Sequence, residues 1–516
     1  MIANLSRRSK PVGLPSSQLF GPLTRSSRHL MPHPAKLVAL LAGGQLIAWT
    51  LAPTLTHSAP PLDVVEGYMW GREWVLATYK HPALPSWALE ATRLLTGTVG
   101  WPAYLLSEAC VAATFACVFL LGRELMGAER AAAGTLLLTG IAFYAWPTTE
   151  FNHNVAQMPI WAALPLLLWR AVQYGTAWRW LLVGALAALS LYAKLSSVLL
   201  LITLAAWLLY AQRAQLRTLG PWLAVIACAL LLAPLVRWLI ANDFVPLRYA
   251  AVRASADSPG GLLRFAGNEI LDLIGLGAML WIAGLIGPRR APYAMPGPAP
   301  LAPGGVTYLA AITVLPLAIA MLGALASGTT LRAAWGSPMF NFAGLLAVAL
   351  TGNRFGERAL RRIAACAAAL LIAMPLAYAI IVLNVPQWRG APLRVSWPQA
   401  EISRRMTAIW RRRTAAPLRI VGGDDWIAGL VGISAPDQPS MLNKGRLGLT
   451  PWISAERLRR QGMLIVWDTN RPHIPPPLLP LVATGVRGEE RIPWPDRSRG
   501  DLAIGYVIVP PKPEAR

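Results

Sequence analysis

Apolar positions along this chain gather into long runs, not into the short alternating stretches of a soluble sheet. Eleven runs stand out, at about 37–55, 100–122, 131–147, 155–171, 180–193, 195–211, 218–240, 270–287, 306–326, 338–352 and 363–383. A helix of about 20 apolar residues spans the hydrocarbon core of a bilayer. The pattern therefore predicts a mainly α, polytopic membrane protein with about eleven transmembrane helices. The runs at 155–171 and 180–193 are short, which calls for tilt or local thinning of the bilayer. Lys194 is the only basic residue between Trp180 and Tyr210, so two short helices meeting at Lys194 are expected there.

Beyond residue 384 the pattern changes. "QAEISRRMTAIWRRRT" has the spacing of an amphipathic helix. "APLRIVGGDDWIAGLVG" reads as strand, glycine turn and helix, and "MLIVWDT" and "DLAIGYVIVP" read as buried strands. The Gly422–Gly423 turn lacks a full phosphate-loop fingerprint. Three regions follow. Residues 1–36 form a basic, Ser- and Pro-rich stretch expected to be disordered and cytoplasmic. Residues 37–384 form a membrane domain whose first span is an uncleaved signal anchor and whose first outer loop covers 56–99. Residues 385–516 form a small α/β domain.

Composition agrees, with 55% hydrophobic and 14% charged residues. The net charge of +23 would suit nucleic acid, but no nucleic-acid-binding motif is present. Lys and Arg instead concentrate in alternate loops, as positive-inside bias and contact with anionic lipids require. Membrane lipids are therefore expected partners and nucleic acid is not. The same bias places the N-terminus in the cytoplasm and the C-terminal domain in the periplasm of a bacterial inner membrane. Cys110, Cys117, Cys228 and Cys366 all fall in apolar runs and read as small buried side chains, not as disulfides or metal ligands.

The chemistry-bearing residues crowd the outer loops. The first loop, "PPLDVVEGYMWGREWVLATYKHPALPSW", holds Asp63, Glu66, Lys80 and His81; the second, "PTTEFNHNVAQ", holds Glu150 and His153. Lys194 and the loop-four arginines Arg248 and Arg253 add positive charge. An acid among cations at a lipid-facing surface suits sugar transfer from a lipid phosphate. A carboxylate takes the acceptor's hydroxyl proton, worth about 10²–10⁴ in rate. Cations stabilise the charge that develops on the leaving phosphate. Asp63 suits the first role, and Lys194 with Arg248 or Arg253 the second. Plainer roles stand beside these. Asp63 suits an N-cap for a helix starting near Val64, Glu73 a solvated helix face, His81 a turn before Pro82, and Lys194 snorkelling to headgroups. Against the last, an ionisable residue between apolar segments is functional by default.

Three motifs carry a family resemblance: "LDVVEGYMWGREW…KHPALPSW", "TTEFNHNVAQMPIWAAL" and "GALAALSLYAKLSS". In this order they resemble the glycosyltransferases of the protein O-mannosyltransferase and lipid A aminoarabinose transferase type, over roughly residues 35–350. The resemblance implies a C-type membrane glycosyltransferase fold, a polyprenyl-phosphate sugar donor and an inverting mechanism. It implies Asp63 as base, Glu150 as a second acid and Lys194 as the family's lysine. Val64 stands where the mannosyltransferases have Glu, and the next acid is Glu66. Some members bind a divalent metal. His81, His153, Glu66 and Glu150 are the available ligands, without diagnostic spacing, and no other cofactor is implied. The expected acceptor is a lipid or cell-envelope glycan such as lipopolysaccharide. Two rivals remain: a transporter or flippase of lipid-linked sugars, which would show internal repeats and broken helices at the midplane, and a non-catalytic assembly protein on the same fold.

Overall fold

A computed structural model describes residues 32–255, 260–288, 301–332, 335–471, 473–494 and 500–512. The basic stretch up to residue 31 lies outside them. The membrane domain opens with α1 (Pro34–Thr56), the short α2 (Leu62–Gly71) and α3 (Leu84–Thr96), then α4 (Trp101–Met126) and α5 (Ala128–Leu136). It continues through α6 (His153–Tyr174), α7 (Ala177–Ala193), α8 (Val198–Ala211), α9 (Gly220–Ala241) and α10 (Val245–Ser255). It closes with α11 (Gly261–Asp272), α12 (Ile274–Ile282), α13 (Gly305–Ser327), α14 (Ala343–Leu350) and α15 (Glu357–Trp388). Among the described residues, seven helical segments are long and apolar enough to cross a membrane: α1, α4, α6, α9, the Gly261–Ile282 segment, α13 and α15. Shorter apolar helices cover Ala177–Ala193, Leu195–Ala211 and Pro338–Leu350. Lys194 is extended (φ −163°, ψ 133°) and separates α7 from α8, so two helices do meet there.

The run at 131–147 is not one helix, contrary to expectation. α5 ends at Leu136, and three 3₁₀ turns carry the chain on to Thr149. The cause is close packing: a Cβ on Gly134 would strike Leu345 of α14, and one on Gly140 would strike the Gly275 backbone. Irregular backbone at this depth survives only where the protein satisfies it. Gln45 Nε2 donates to the Tyr144 carbonyl at 2.9 Å, and Ser107 Oγ donates to the Thr148 carbonyl. Gln45 also donates to Glu108 at 3.1 Å, which gives the acid inside α4 its partner.

The C-terminal domain begins with α16 (Gln399–Arg413), β1 (Ile420–Gly423) and α17 (Asp425–Ser434). β2 (Ser440–Met441), β3 (Met463–Asp468), β4 (Val486–Ile492) and β5 (Leu502–Val509) complete one sheet in the order β2-β1-β3-β5-β4. β1 runs parallel to β2 and β3, while β5 is antiparallel to β3 and β4. The amphipathic helix and three strands match expectation. β2 has only two residues, and the edge strand β4 reads "VRGEERI", whose charges blunt an open sheet edge.

This domain is docked on α2. Gly429 and Gly432 of α17 leave room for Val65 and Met69, and a Cβ on either glycine would overlap those side chains. Trp70 Nε1 donates to Asn443 Oδ1 at 3.1 Å, and Arg72 Nη1 donates to the carbonyls of Gly432 (3.1 Å) and Pro439 (3.0 Å). The linker after α15 folds back, so that the Val395 carbonyl accepts from the amides of Ser58 (2.8 Å) and Ala59 (3.0 Å). Gly432→Leu should therefore cost about 1–3 kcal/mol through overpacking. A lower thermal midpoint in detergent and faster proteolysis in the 389–397 linker would report it. An unchanged digestion pattern would show that α17 does not seat there.

Candidate active site

α2 starts at Leu62 with Pro61 as its N-cap, so Asp63 lies in the first turn and is not the cap. The first amides of a helix lack partners inside it. Here the Asp63 amide donates to Glu150 Oε1 at 2.9 Å, and the second-loop acid does the capping. Asp63 keeps an exposed edge among crowding neighbours, and the loss of water around it pushes its carboxyl up. Lys80, a hydrogen bond with Asn152 and the Arg394 guanidinium oppose that rise. Glu150 is pushed up to about 7, first by burial and then by the charge of Asp63. The two carboxyls therefore titrate as a pair.

One turn along α2, Glu66 is buried and accepts from Lys80 Nζ at 2.7 and 2.6 Å. Burial raises Glu66, while Lys80 pulls it back. Its charge is committed to Lys80, which leaves Asp63 as the more accessible acid. Lys80 also lies 5.5 Å from the Trp70 ring centroid and 5.7 Å from that of Tyr79.

The His81 and His153 rings lie against each other at a tilt of 36°, with centroids 4.0 Å apart, and His153 Nε2 lies 3.2 Å from the Pro82 carbonyl, to which it donates. Burial, then His153 and the nearby lysines, keep His81 neutral. Lys194 is 6% exposed and donates to Asn154 Oδ1 at 2.5 Å, so it is enclosed and does not snorkel. Asn152 caps α6 by accepting from the amides of Asn154 (2.8 Å) and Val155 (3.3 Å). The four candidate metal ligands do not fit a divalent cation. Glu66 is held by Lys80, Glu150 by the Asp63 amide, and the histidines face each other beside a lysine. Among the described residues no group of three or more His, Cys, Asp or Glu could hold a metal ion.

Loop four divides. Arg248 is exposed and pairs with Asp243 at 3.5 Å. Arg253 lies 6.0 Å from the Tyr249 ring centroid, and Tyr249 packs edge-on to Tyr79 at 5.6 Å. Glu73, expected to be solvated, is raised by burial and bonds Ser440 of the C-terminal domain. Sequence reading passed over Tyr79, Arg394, Asp425 and Lys444. Of these only the doubled acid in "GGDDW" stands out in the sequence.

Residues 80–238 match the family model described as dolichyl-phosphate-mannose-protein mannosyltransferase. No curated protein matches the sequence. The structure is similar to that of ArnT from Cupriavidus metallidurans bound to undecaprenyl phosphate. The TM-score is 0.59 at 13% identity, covering 92% of this chain and 98% of that one. The apo form of the same protein gives 0.60 and 14% with the same coverage. This chain has the C-type membrane glycosyltransferase fold. Lys80, His81, Glu150, His153 and Lys194 lie inside the stretch matched by the family model, whereas Asp63, Glu66 and the C-terminal domain lie outside it.

Within this fold the Glu66–Lys80 pair is a buried ion pair, and removing one partner strands the other. Lys80→Ala should destabilise by about 3 kcal/mol, read as thermal unfolding in detergent. The double substitution Glu66→Gln with Lys80→Met should recover most of that loss. Equal losses in the single and double variants would mean that the charge pairing is not what matters.

Proposed function

We propose that this protein is an inverting glycosyltransferase. It moves one monosaccharide from a polyprenyl-phosphate donor to a hydroxyl of a lipid or cell-envelope glycan, at the periplasmic face of the bacterial inner membrane. The observation that carries this reading is the Asp63–Glu150 pair, with Lys80 and Arg394 acting on Asp63 and Arg394 on Glu150.

The chemistry follows from the placement. The acceptor oxygen attacks the anomeric carbon from the Asp63 side and gives its proton to the Asp63 carboxylate. The bond from the anomeric carbon to the donor's phosphate oxygen breaks with its electron pair, inverting the centre. The phosphate leaves as an anion, which the surrounding guanidinium and ammonium groups stabilise. Glu150 fixes the turn that presents Asp63. Lys194, being enclosed, acts through Asn154 to hold the histidine wall, and Arg253 is better placed than Arg248 to meet phosphate. An outward-facing groove of about 650 Å³ on α9, lined by Leu232, Val236, Ile240 and Arg237 among others, supports a donor with a long apolar tail. ArnT, similar in fold, binds undecaprenyl phosphate.

Asp63→Asn should lower turnover by about 10²–10⁴, measured as release of polyprenyl phosphate from lipid-linked sugars by protein that remains folded. Turnover that survives would move the base elsewhere. The pH profile adds a second check. A raised carboxyl loses its charge as pH falls through its elevated pKa, so the acidic limb of kcat/KM should lie above the ordinary carboxylate range. Glu150→Gln removes a neighbouring negative charge, makes Asp63 easier to ionise and should shift that limb to lower pH. A limb that stays in place would uncouple the two acids.

A further inference from the structure

The parallel strand β2 ends beside α2, and two charged residues lie just beyond the carboxyl ends of β1 and β2. Asp425 follows β1 and Lys444 follows β2. Ligands of open α/β sheets commonly bind beyond the carboxyl ends of strands where the order reverses. Here the chain passes from β1 to β2 on one side and from β2 to β3 on the other.

Lys444 is held in an unusual way. Its backbone is left-handed (φ 49°, ψ 25°) although it is not glycine. Its amide donates to Asp425 Oδ1 at 2.8 Å. On one side Asn443 is fully buried and holds Trp70; on the other Gly445 is also left-handed (φ 66°). Strain in a non-glycine residue persists only where the surroundings enforce it, and such residues cluster at functional sites. The result is that the exposed Lys444 side chain is aimed at the site, with Nζ 5.6 Å from the Tyr79 ring centroid. Lys80 approaches the same ring from the membrane domain at 5.7 Å. Their charges differ in availability. Lys80 is matched by Glu66, whereas among the described residues neither Lys444 nor Arg253 makes an ion pair.

We propose that Lys444 of the C-terminal domain binds the donor's phosphate, so that the leaving group is held at the seam between the two domains. This rests on the polyprenyl-phosphate reading above and adds to it a ligand from outside the membrane domain. Asp425 is its positioning residue, acting through the Lys444 amide.

The test is equilibrium binding of undecaprenyl phosphate to the full-length protein in nanodiscs, with undecaprenol as the uncharged control. Lys444→Gln should bind the phosphate about tenfold more weakly, the scale of one lost charge-assisted hydrogen bond. The gap should narrow as salt rises, and undecaprenol should not distinguish the variants. Lys444→Arg should stay close to the parent. Lys444→Gly relieves the left-handed backbone, so its thermal midpoint should be no lower while its phosphate binding is as weak as that of Lys444→Gln. Parent-like binding by Lys444→Gln would overturn the proposal, as would Lys444→Arg failing as badly as Lys444→Gln. No saturable binding by the parent itself would overturn the polyprenyl-phosphate reading, and this proposal with it.

Discussion

The whole arrangement depends on one short helix being covered from two sides. α2 has ten residues, and all from Val64 to Gly71 are buried. A helix of that length has no stability of its own in water, so its position is set by what packs on it. The membrane domain supplies Leu89 of α3, whose side chain fills the space beside Gly67. The C-terminal domain supplies the glycine face of α17. Glu150 caps the first turn. Asp63 and Glu66 therefore point where two domains and a loop agree to put them.

That confinement also sets the electrostatics. Four carboxyls, Asp63, Glu66, Glu150 and Asp425, lie close enough to influence one another, and burial pushes each upward. Such a cluster can stay charged only where cations are brought to it. Each is answered differently. Glu66 has Lys80 in direct contact. Asp63 and Glu150 share the more distant Arg394. Asp425 accepts the Lys444 amide and feels both lysines. Asp63, which makes no direct ion pair, is the exposed member of the cluster.

Much of this was legible in the sequence, and the exceptions share a cause. Hydropathy alone located the membrane segments, because a span must be apolar wherever it packs. It could not foresee the break after Leu136, since that depends on Gly134 meeting α14 some 200 residues later. The buried strands β1, β3 and β5 were readable, while the two-residue β2 and the charged edge β4 carry no periodic apolar signal. Asp63, Glu66, Lys80, Glu150 and Lys194 stood out because charge is rare in so apolar a chain. Arg394 and Lys444 did not, because each is ordinary in its own loop. The Asn443–Trp70 bond, which helps fix Lys444, joins positions 373 residues apart. The resemblance to known transferases indicated the fold, and said nothing of how the tail would meet it.

The returning linker has a consequence for the order in which the molecule is made. Residues 58 and 59 are hydrogen-bonded to residue 395, and α2 is covered by a helix that ends at Ser434. During synthesis the segment bearing Asp63 emerges early and then waits for more than 300 residues before its outer cover exists. Until then the acids have no fixed geometry and no Lys444 beside them. A nascent or truncated chain that has already entered the membrane therefore lacks one of the two surfaces that cover α2. The surroundings of Asp63 and Glu66 are completed only when the last domain arrives.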